Sequence, residues 1–203
     1  MRSDRVSLLA EIALAVALSA VLWLLGVKLP WNIAGGTVAL DMLPIMIVGL
    51  RRGLVPGLIT GALWGAGSLL LDPYIIHPVQ LVFDYPLAFA LCGFVGLGTS
   101  RVRETLADGK RLQASSLVTL LVILGGAGRF VSHFISGAVF FASNAPTGQP
   151  VLLFSAIYNL SYMIPSTLAC AVLAVALYPV LERTVPLRRS VLERAASSQR
   201  GIS

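Results

Sequence analysis

Four ionisable side chains stand inside long apolar stretches of this sequence: Asp41, Asp84, Arg129 and His133. Burying such a group in a lipid bilayer costs several kcal/mol, so each position tends to mark a function. Arg129 and His133 are four residues apart, which places them on one face of a helix. These groups could form a buried structural network, for example Asp84 with Arg129, or they could line a polar pocket between helices.

Polar and aromatic side chains accompany these charges. His77, Gln80 and Asp84 share a helix face, and a later apolar segment carries a polar stripe of Ser155, Asn159, Tyr162 and Ser166. Aromatic residues lie beside the polar ones or near segment ends: Trp31, Trp64, Tyr74, Tyr85, Phe140, Phe141 and Phe154. Taken singly, each aromatic is typical of a core or of a lipid-interface belt. A carboxylate beside several aromatic faces, however, suits a flat cationic ligand through charge pairing and cation–π contact.

Recognisable enzyme motifs are absent from the sequence. It contains no Gly-x-Ser-x-Gly elbow, no His-Glu-x-x-His zinc motif and no Walker A motif. Asp41 and Asp84 could form an aspartyl dyad, but neither lies in a catalytic motif. Cys92 and Cys170 fall inside apolar segments without metal-ligand spacing, which is typical of small packing residues. We therefore predict a protein that is not an enzyme and that uses no metal or cofactor.

The composition excludes a soluble globular domain. Of the 203 residues, 57% are hydrophobic and 12% are charged, whereas a soluble domain averages about 25% charged residues. A net charge of +6 would raise a nucleic-acid hypothesis in a soluble protein. Here the basic residues lie between apolar segments, where they set membrane orientation and contact anionic lipid. We therefore predict an all-α integral membrane protein with no nucleic-acid partner.

Six apolar segments are predicted to cross the membrane, since a span needs about 20 apolar residues. The predicted helices cover residues 7–27, 38–50, 54–71, 79–99, 115–141 and 151–181. Residues 28–37 are predicted to form a loop or re-entrant turn, and 100–113 a charged loop. Residues 1–182 would thus form one six-helix substrate-binding domain, and 183–203 a basic cytoplasmic tail.

The basic residues test this map through the positive-inside rule. They form four clusters: Arg2 with Arg5, Arg51 with Arg52, the group of Arg101, Arg103, Lys110 and Arg111, and the C-terminal arginines from Arg183 onward. The other three connections hold only Lys28. Six spans with both termini in the cytoplasm place every cluster on one side. We therefore predict a multi-pass protein of a prokaryotic plasma membrane, with both termini inside.

Small residues recur on two predicted helices. Gly53, Gly57, Gly61 and Gly65 follow a four-residue spacing that lets another backbone approach closely, which favours internal packing. Ala13 and Ala17 on the first helix form a shorter pattern of the same kind. The pattern alone allows two readings for the alanines, either internal packing or a docking surface for another membrane protein.

Several runs together resemble the thiamine-specific S component of energy-coupling factor (ECF) transporters. They are Leu50–Gly53, Gly61–Gly65, Tyr74, Pro78–Gln80, Asp84–Phe89, His133–Gly137 and Ile157–Pro165. The resemblance covers roughly residues 8–180 and includes the six-helix layout. It implies a membrane subunit that captures thiamine outside and then docks with a T component and two ATPases, which power release inside.

The resemblance also implies roles for individual residues. The family's pocket carboxylate, histidine, asparagine and loop tyrosine match Asp84, His133, Asn159 and Tyr74, and its Ala-x-x-x-Ala docking motif matches Ala13 with Ala17. The full set expected to bind the ligand is Tyr74, Asp84, Tyr85, His133, Asn159, Phe141, Phe154, Asp41 and Trp64.

The sequence departs from the family pattern at several of these positions. Asp84 stands where the family has a glutamate, Phe141 where it has a tryptophan, and Phe154 where it has a tyrosine. The family also has a tryptophan before the second helix. Thr37 occupies that position here, and Trp31 lies too early in the sequence to match it. A carboxylate is therefore retained in the expected pocket, whereas the aromatic surface available for stacking on a ligand is smaller than in the family. A thiamine precursor, such as a pyrimidine or thiazole, or another small vitamin therefore remains an alternative ligand. The rival from another class is a structural or channel-like membrane protein whose charges only pair with one another.

Overall fold

A computed structural model describes residues 2–28 and 36–185 of the chain. Its helices are α1 (Arg2–Leu24), α2 (Met42–Arg52), α3 (Leu54–Ser68), α4 (Pro78–Ala107), α5 (Arg111–Phe140) and α6 (Val151–Thr184). Two short antiparallel strands, β1 (Val27–Lys28) and β2 (Thr37–Val38), pair between α1 and α2. A 3₁₀ turn, Ala142–Asn144, precedes α6. Trp31 and the tail beyond residue 185 lie outside the described residues.

The all-α membrane fold predicted from composition is confirmed. Within the part of the chain that the structure describes, four helices, α1, α4, α5 and α6, are long and apolar enough to cross a bilayer. α3, with 15 residues, is a shorter apolar helix, and α2 has only 11 residues. Leucine, isoleucine and valine side chains remain exposed along all four long helices, as expected for surfaces that face lipid tails rather than water.

The glycines of α3 allow the backbone of α4 to lie directly against it. A Cβ atom on Gly61 would collide with the carbonyl of Phe89, and one on Gly65 with the carbonyl of Tyr85. Gly57 likewise approaches Gly93, and its added Cβ would lie 3.0 Å from that residue's Cα. The predicted packing role is therefore confirmed for Gly57, Gly61 and Gly65. Gly53, with φ 95°, instead forms the turn between α2 and α3, and a Cβ added there would meet no atom within 4 Å.

α4 is the least regular helix, and its irregularity lies beside the polar residues. A π-helical segment, Phe83–Leu87, contains Pro86, whose ring nitrogen cannot donate to the helical ladder. The hydroxyl of Ser132 on α5 donates to the carbonyl of Phe83 at 2.6 Å, so a side chain supplies a partner where the ladder changes. Such π segments often accompany functional positions. This one carries Asp84 and Tyr85.

The charged segment after the predicted fourth helix is not the loop that the sequence indicated. Thr99–Ala107 continues α4 as a regular helix. Thr99, Val102 and Thr105 recur at helical spacing and are buried, so one face packs against the bundle while the charges remain outside. The true connection is only residues 108–110. Smaller differences affect other ends: α1 ends at Leu24, α2 begins at Met42, and α3 ends at Ser68.

An ionic cluster ties α1 to α2 and α6 at one end of the bundle. Arg51 is 3% exposed and donates to Glu11 through Nε at 2.7 Å, to Glu182 through Nη1 at 3.4 Å, and to the carbonyl of Val185 at 2.9 Å. Arg52 donates to the second carboxylate oxygen of Glu11 at 2.6 Å. Arg103 of α4 lies near Glu182, with the N–O distance 3.6 Å. We refer to Glu11, Arg51, Arg52, Arg103 and Glu182 as the inner cluster.

Candidate functional site

A cavity of about 340 Å³ opens between the end of α1, β2, the residue before α2, the end of α3 and helices α4, α5 and α6. Ligand pockets typically measure roughly 300–1,000 Å³, so this one has room for a small organic molecule. Eight of the nine predicted ligand-binding residues line it: Asp41, Tyr74, Asp84, Tyr85, His133, Phe141, Phe154 and Asn159. Trp64 does not line the cavity. It is 1% exposed and packs behind Asp41, to which its Nε1 donates at 3.3 Å.

Asp84 is held from two sides within the cavity wall. Its Oδ1 lies 3.1 Å from Nδ1 of His133, and its Oδ2 accepts from the amide of Gln80 at 2.7 Å. The Gln80 amide also donates to the carbonyl of Tyr74, and the Gln80 Oε1 accepts from the backbone N–H of Ile76. The predicted shared face of Gln80 and Asp84 thus positions the carboxylate. Since an ionised carboxylate offers about four acceptor positions, Asp84 retains free ones.

Arg129 pairs with Asp41 and not with Asp84, the partner that the sequence suggested for it. Its Nη1 lies 3.4 Å from Oδ1 of Asp41, and its guanidinium carbon lies 4.1 Å above the centre of the Phe89 ring. Its Nε donates to Nε2 of His133 at 3.4 Å. A neutral imidazole that accepts at Nε2 carries its proton on Nδ1, the ring nitrogen that lies next to Asp84. We refer to Asp41, Arg129, His133 and Asp84 as the cavity chain.

Among the described residues that line the cavity, one carboxylate has no guanidinium or ammonium partner. Asp41 is paired with Arg129, whereas Asp84 is held by His133 and by the amide of Gln80. A low-dielectric cavity with excess negative charge favours a cation, because charge interactions are stronger there than in water.

Asn159 belongs to the polar stripe of α6, and its side chain is 4% exposed. Its amide donates to the carbonyl of Ser155 at 2.9 Å, and its Oδ1 accepts from the hydroxyl of Tyr162 at 2.6 Å. The amide also lies 3.4 Å from the carbonyl of His133, which links α6 to α5. The predicted stripe therefore orders one wall of the cavity and presents an amide edge to it.

Aromatic rings form the rim. Tyr74 and Phe141 stack with ring centroids 5.9 Å apart and an interplanar angle of 22°. The hydroxyl of Tyr85 accepts from the backbone N–H of Tyr74 at 2.7 Å and so holds the 69–77 connection against α4. Phe154 lies tilted against Tyr158, at 6.0 Å. These side chains come from the elements that surround the mouth of the cavity.

Sequence reasoning missed several lining residues. Trp23, Phe89, Tyr158 and Arg129 line the cavity but were not among the predicted ligand contacts. Arg129 and Tyr162 carried a usable signal, since a polar group within an apolar segment was already visible. Trp23 and Phe89 carried none, because an aromatic residue in an apolar helix does not reveal which way it faces.

Comparison with known proteins places the chain in a family. A sequence model of the family described as "Thiamine transporter protein (Thia_YuaJ)" matches residues 9–185. The chain belongs to the thiamine transporter protein family. The family expected from the sequence motifs is thereby confirmed.

Members of this family are similar to the chain over most of its length. Thiamine transporter ThiT of Bacillus subtilis (strain 168) is 36% identical over 183 residues, which are 90% of this chain and 95% of that protein. Thiamine transporter ThiT of Lacticaseibacillus paracasei (strain ATCC 334) is 33% identical over 122 residues, 58% of this chain and 61% of that protein. The solved structure of ThiT from Listeria monocytogenes superimposes with a TM-score of 0.78 at 27% identity, covering 90% and 96% of the two chains.

The two alanines of α1 lie on the outside of the bundle. Ala13 and Ala17 are exposed, whereas Ile12, Ala15 and Ser19 are the buried residues nearby. Internal packing within this chain therefore does not account for Ala13 and Ala17. Their exposed face is open to lipid or to another helix.

Proposed function

We propose that the chain is the substrate-capture subunit of an ECF transporter, the S component, and that it binds thiamine in the cavity described above. In this proposal the cavity faces the outside of a prokaryotic plasma membrane. The loaded subunit then docks with a T component and two ATPases, which supply the energy for release inside. The main support for this proposal is that a chain of the thiamine transporter protein family contains a cavity with excess negative charge and an aromatic rim.

Thiamine matches the chemistry of this cavity. Its thiazolium ring is permanently cationic, and its aminopyrimidine ring is neutral with donor and acceptor edges. Asp84 would accept from the amino group or face the thiazolium, while His133 and Asn159 would read the pyrimidine edge. Tyr85 and Phe141 would supply apolar ring faces. An organic cation between a carboxylate and aromatic rings gains both charge pairing and cation–π attraction.

Other aromatic side chains line the cavity where this chain lacks the aromatic residues of the family pattern. Thr37 and Trp23 line the same cavity, so an indole from α1 is present where the segment before α2 lacks one. Tyr158 stands beside Phe154 and lines the cavity too. These rings support a ligand with two aromatic heterocycles over a single small ring.

The alternative function, a structural or channel-like membrane protein, requires every charged group in the cavity to pair with a group of opposite charge. Arg129 and Asp41 fit that requirement, since they pair with each other. Asp84 does not fit it, because neither of its two partners, His133 and Gln80, carries a permanent charge. The uncompensated carboxylate favours ligand capture over a purely structural role.

Identification of the molecule that copurifies with the chain tests the proposed ligand. The detergent-solubilised protein is purified from cells grown with thiamine, denatured, and its small-molecule fraction analysed by mass spectrometry. We expect thiamine in near-stoichiometric amount. Release of only a pyrimidine or thiazole precursor would favour the alternative ligand. Folded protein that carries no such molecule and binds none when it is added would contradict the proposal.

Docking through α1 is tested by replacing both Ala13 and Ala17 with leucine. The bulkier side chains should prevent close approach of a partner helix, so thiamine uptake and copurification of the T component should be lost. The affinity of the isolated subunit for thiamine should stay within about twofold, because neither alanine lines the cavity. Replacement of Leu14 and Leu18, also exposed on α1, with isoleucine is the matched control. An equal fall in ligand affinity would show that the alanines support the fold instead.

A further inference from the structure

Asp41 differs from Asp84 in burial and in its partners. Asp41 is 1% exposed, and its two oxygens face Arg129 at 3.4 Å and the indole N–H of Trp64 at 3.3 Å. Asp84 is 15% exposed, and its partners are His133 and the amide of Gln80. Asp41 is the residue before α2, yet its side chain makes no capping hydrogen bond to that helix. Its carboxylate is directed to the guanidinium instead.

Arg129 would oppose a cationic ligand if it stood alone. It lines the cavity and is followed one helical turn later by His133, to which it donates. That hydrogen bond holds the imidazole in the tautomer that faces Asp84. The cavity therefore gains an oriented histidine from Arg129 but also acquires a positive charge close to the place where a cation would bind.

We propose that Asp41 determines the charge preference of the cavity by neutralising Arg129, and that it acts through Arg129 without contacting the ligand. This inference rests on the proposed function, because it concerns the same cavity and a cationic ligand. Asp41 is then a positioning and specificity residue. Asp84 remains the carboxylate that meets the ligand.

A double-mutant cycle separates this role from direct contact. Asp41→Asn leaves the charge of Arg129 uncompensated. A unit charge about 8 Å away at an effective dielectric constant of about 20 changes cation affinity by roughly thirtyfold. We expect calorimetry to show thiamine binding weakened by about ten- to thirtyfold. The double variant Asp41→Asn with Arg129→Gln removes both charges and should bind thiamine about three- to tenfold more tightly than Asp41→Asn alone, although it loses the donor to His133.

A second probe uses the uncharged half of the ligand. The affinity for the neutral aminopyrimidine alcohol should change less than about twofold in Asp41→Asn, because no ligand charge faces Arg129. Asp108→Asn is the control. It removes the carboxylate of an exposed ion pair with Lys110, 2.9 Å long and outside the cavity, and should leave both affinities unchanged.

The following results would overturn the inference. One is a double variant that binds thiamine no more tightly than Asp41→Asn alone, since a loss that removal of Arg129 does not compensate indicates a direct contact of Asp41. Another is an equal loss for thiamine and for its neutral half in Asp41→Asn. If Asp41→Asn alone does not fold, the ratio of the thiamine affinity to the affinity for the neutral half still decides. This ratio should be unchanged in the double variant, which buries no unpaired charge, and a fall of more than about tenfold would overturn the inference. Absence of thiamine binding by the unmodified protein would instead contradict the proposed function, and this inference with it.

Discussion

Two buried ionic groups of this protein use the same residue types in different settings. The inner cluster joins Glu11, Arg51 and Glu182 across three helices, and none of its members lines the cavity. The cavity chain runs from Asp41 through Arg129 and His133 to Asp84, and every member lines the cavity. One group connects helices to each other, whereas the other ends at a surface that a small molecule can reach.

The difference lies in how each group balances its charge. In the inner cluster the carboxylate of Glu11 has a guanidinium at each oxygen, with N–O distances of 2.7 and 2.6 Å. In the cavity chain neither partner of Asp84 is a guanidinium or an ammonium group. Buried charge therefore does not by itself indicate a binding site in this fold. The informative feature is a buried carboxylate without a cationic partner, next to open volume and aromatic rings.

The largest effect on stability is expected from the inner cluster. Arg51→Gln removes a guanidinium that is 3% exposed and leaves Glu11 and Glu182 with fewer partners. Breaking such a buried pair costs about 3–5 kcal/mol. The free energy of unfolding, measured by reversible denaturation in mixed micelles, should fall by that amount while thiamine affinity of the folded fraction stays the same. Lys110→Gln, at an exposed ion pair, should leave the unfolding free energy unchanged. A loss of affinity in Arg51→Gln would remove the distinction between the two groups.

A smaller effect is expected where α3 supports the cavity chain. Gly61→Ala would force a methyl group against the carbonyl of Phe89, the residue whose ring lies under Arg129. Overpacking costs about 1–3 kcal/mol, and the shift of α4 should also weaken thiamine binding. Gly67→Ala is the matched control, because no atom lies within 4 Å of its added Cβ. Equal behaviour of the two variants in unfolding and binding assays would show that the close α3–α4 approach is unimportant.

The smallest effect is expected at the rim. Phe141→Trp enlarges the ring that stacks on Tyr74 and restores the residue of the family pattern. Thiamine affinity should stay the same or rise by up to about 1 kcal/mol, roughly fivefold, through a larger cation–π surface. The measurement is calorimetric titration with thiamine. A loss of more than about tenfold would mean that the stacked pair, and not the ring area, determines the fit.

The overall fold could be predicted largely from sequence because apolar length and basic clusters are strong signals in a membrane protein. The glycine series of α3 also predicted internal packing. Helix ends were less accurate, and Thr99–Ala107 was taken for a loop because its charges obscured the buried face of Thr99, Val102 and Thr105. A run of charged residues indicates where a chain leaves the membrane, but it does not indicate where the helix ends.

The polar residues that line the cavity could be predicted from the sequence, but the ion pairs among them could not. Spacing placed Arg129 and His133 on one face, and a polar group in an apolar helix is visible from sequence. The choice of Asp41 over Asp84 as the partner of Arg129 depends on how α2 and α4 are arranged around α5. Trp64 was expected in the cavity but packs behind Asp41. Helical spacing predicts which face of a helix a residue lies on, but it does not predict whether a neighbouring side chain separates that residue from the cavity.

The most direct test of the account is calorimetric titration of thiamine into the purified, ligand-free chain and into its Asp84→Asn variant. Loss of a charge-assisted hydrogen bond costs about 1.5–3 kcal/mol, so the variant should bind roughly ten- to a hundred-and-fifty-fold more weakly, with an unfolding free energy close to that of the unmodified protein. Equal affinity in the two proteins would contradict the role of the uncompensated carboxylate. No binding heat from folded, ligand-free protein would contradict the account as a whole.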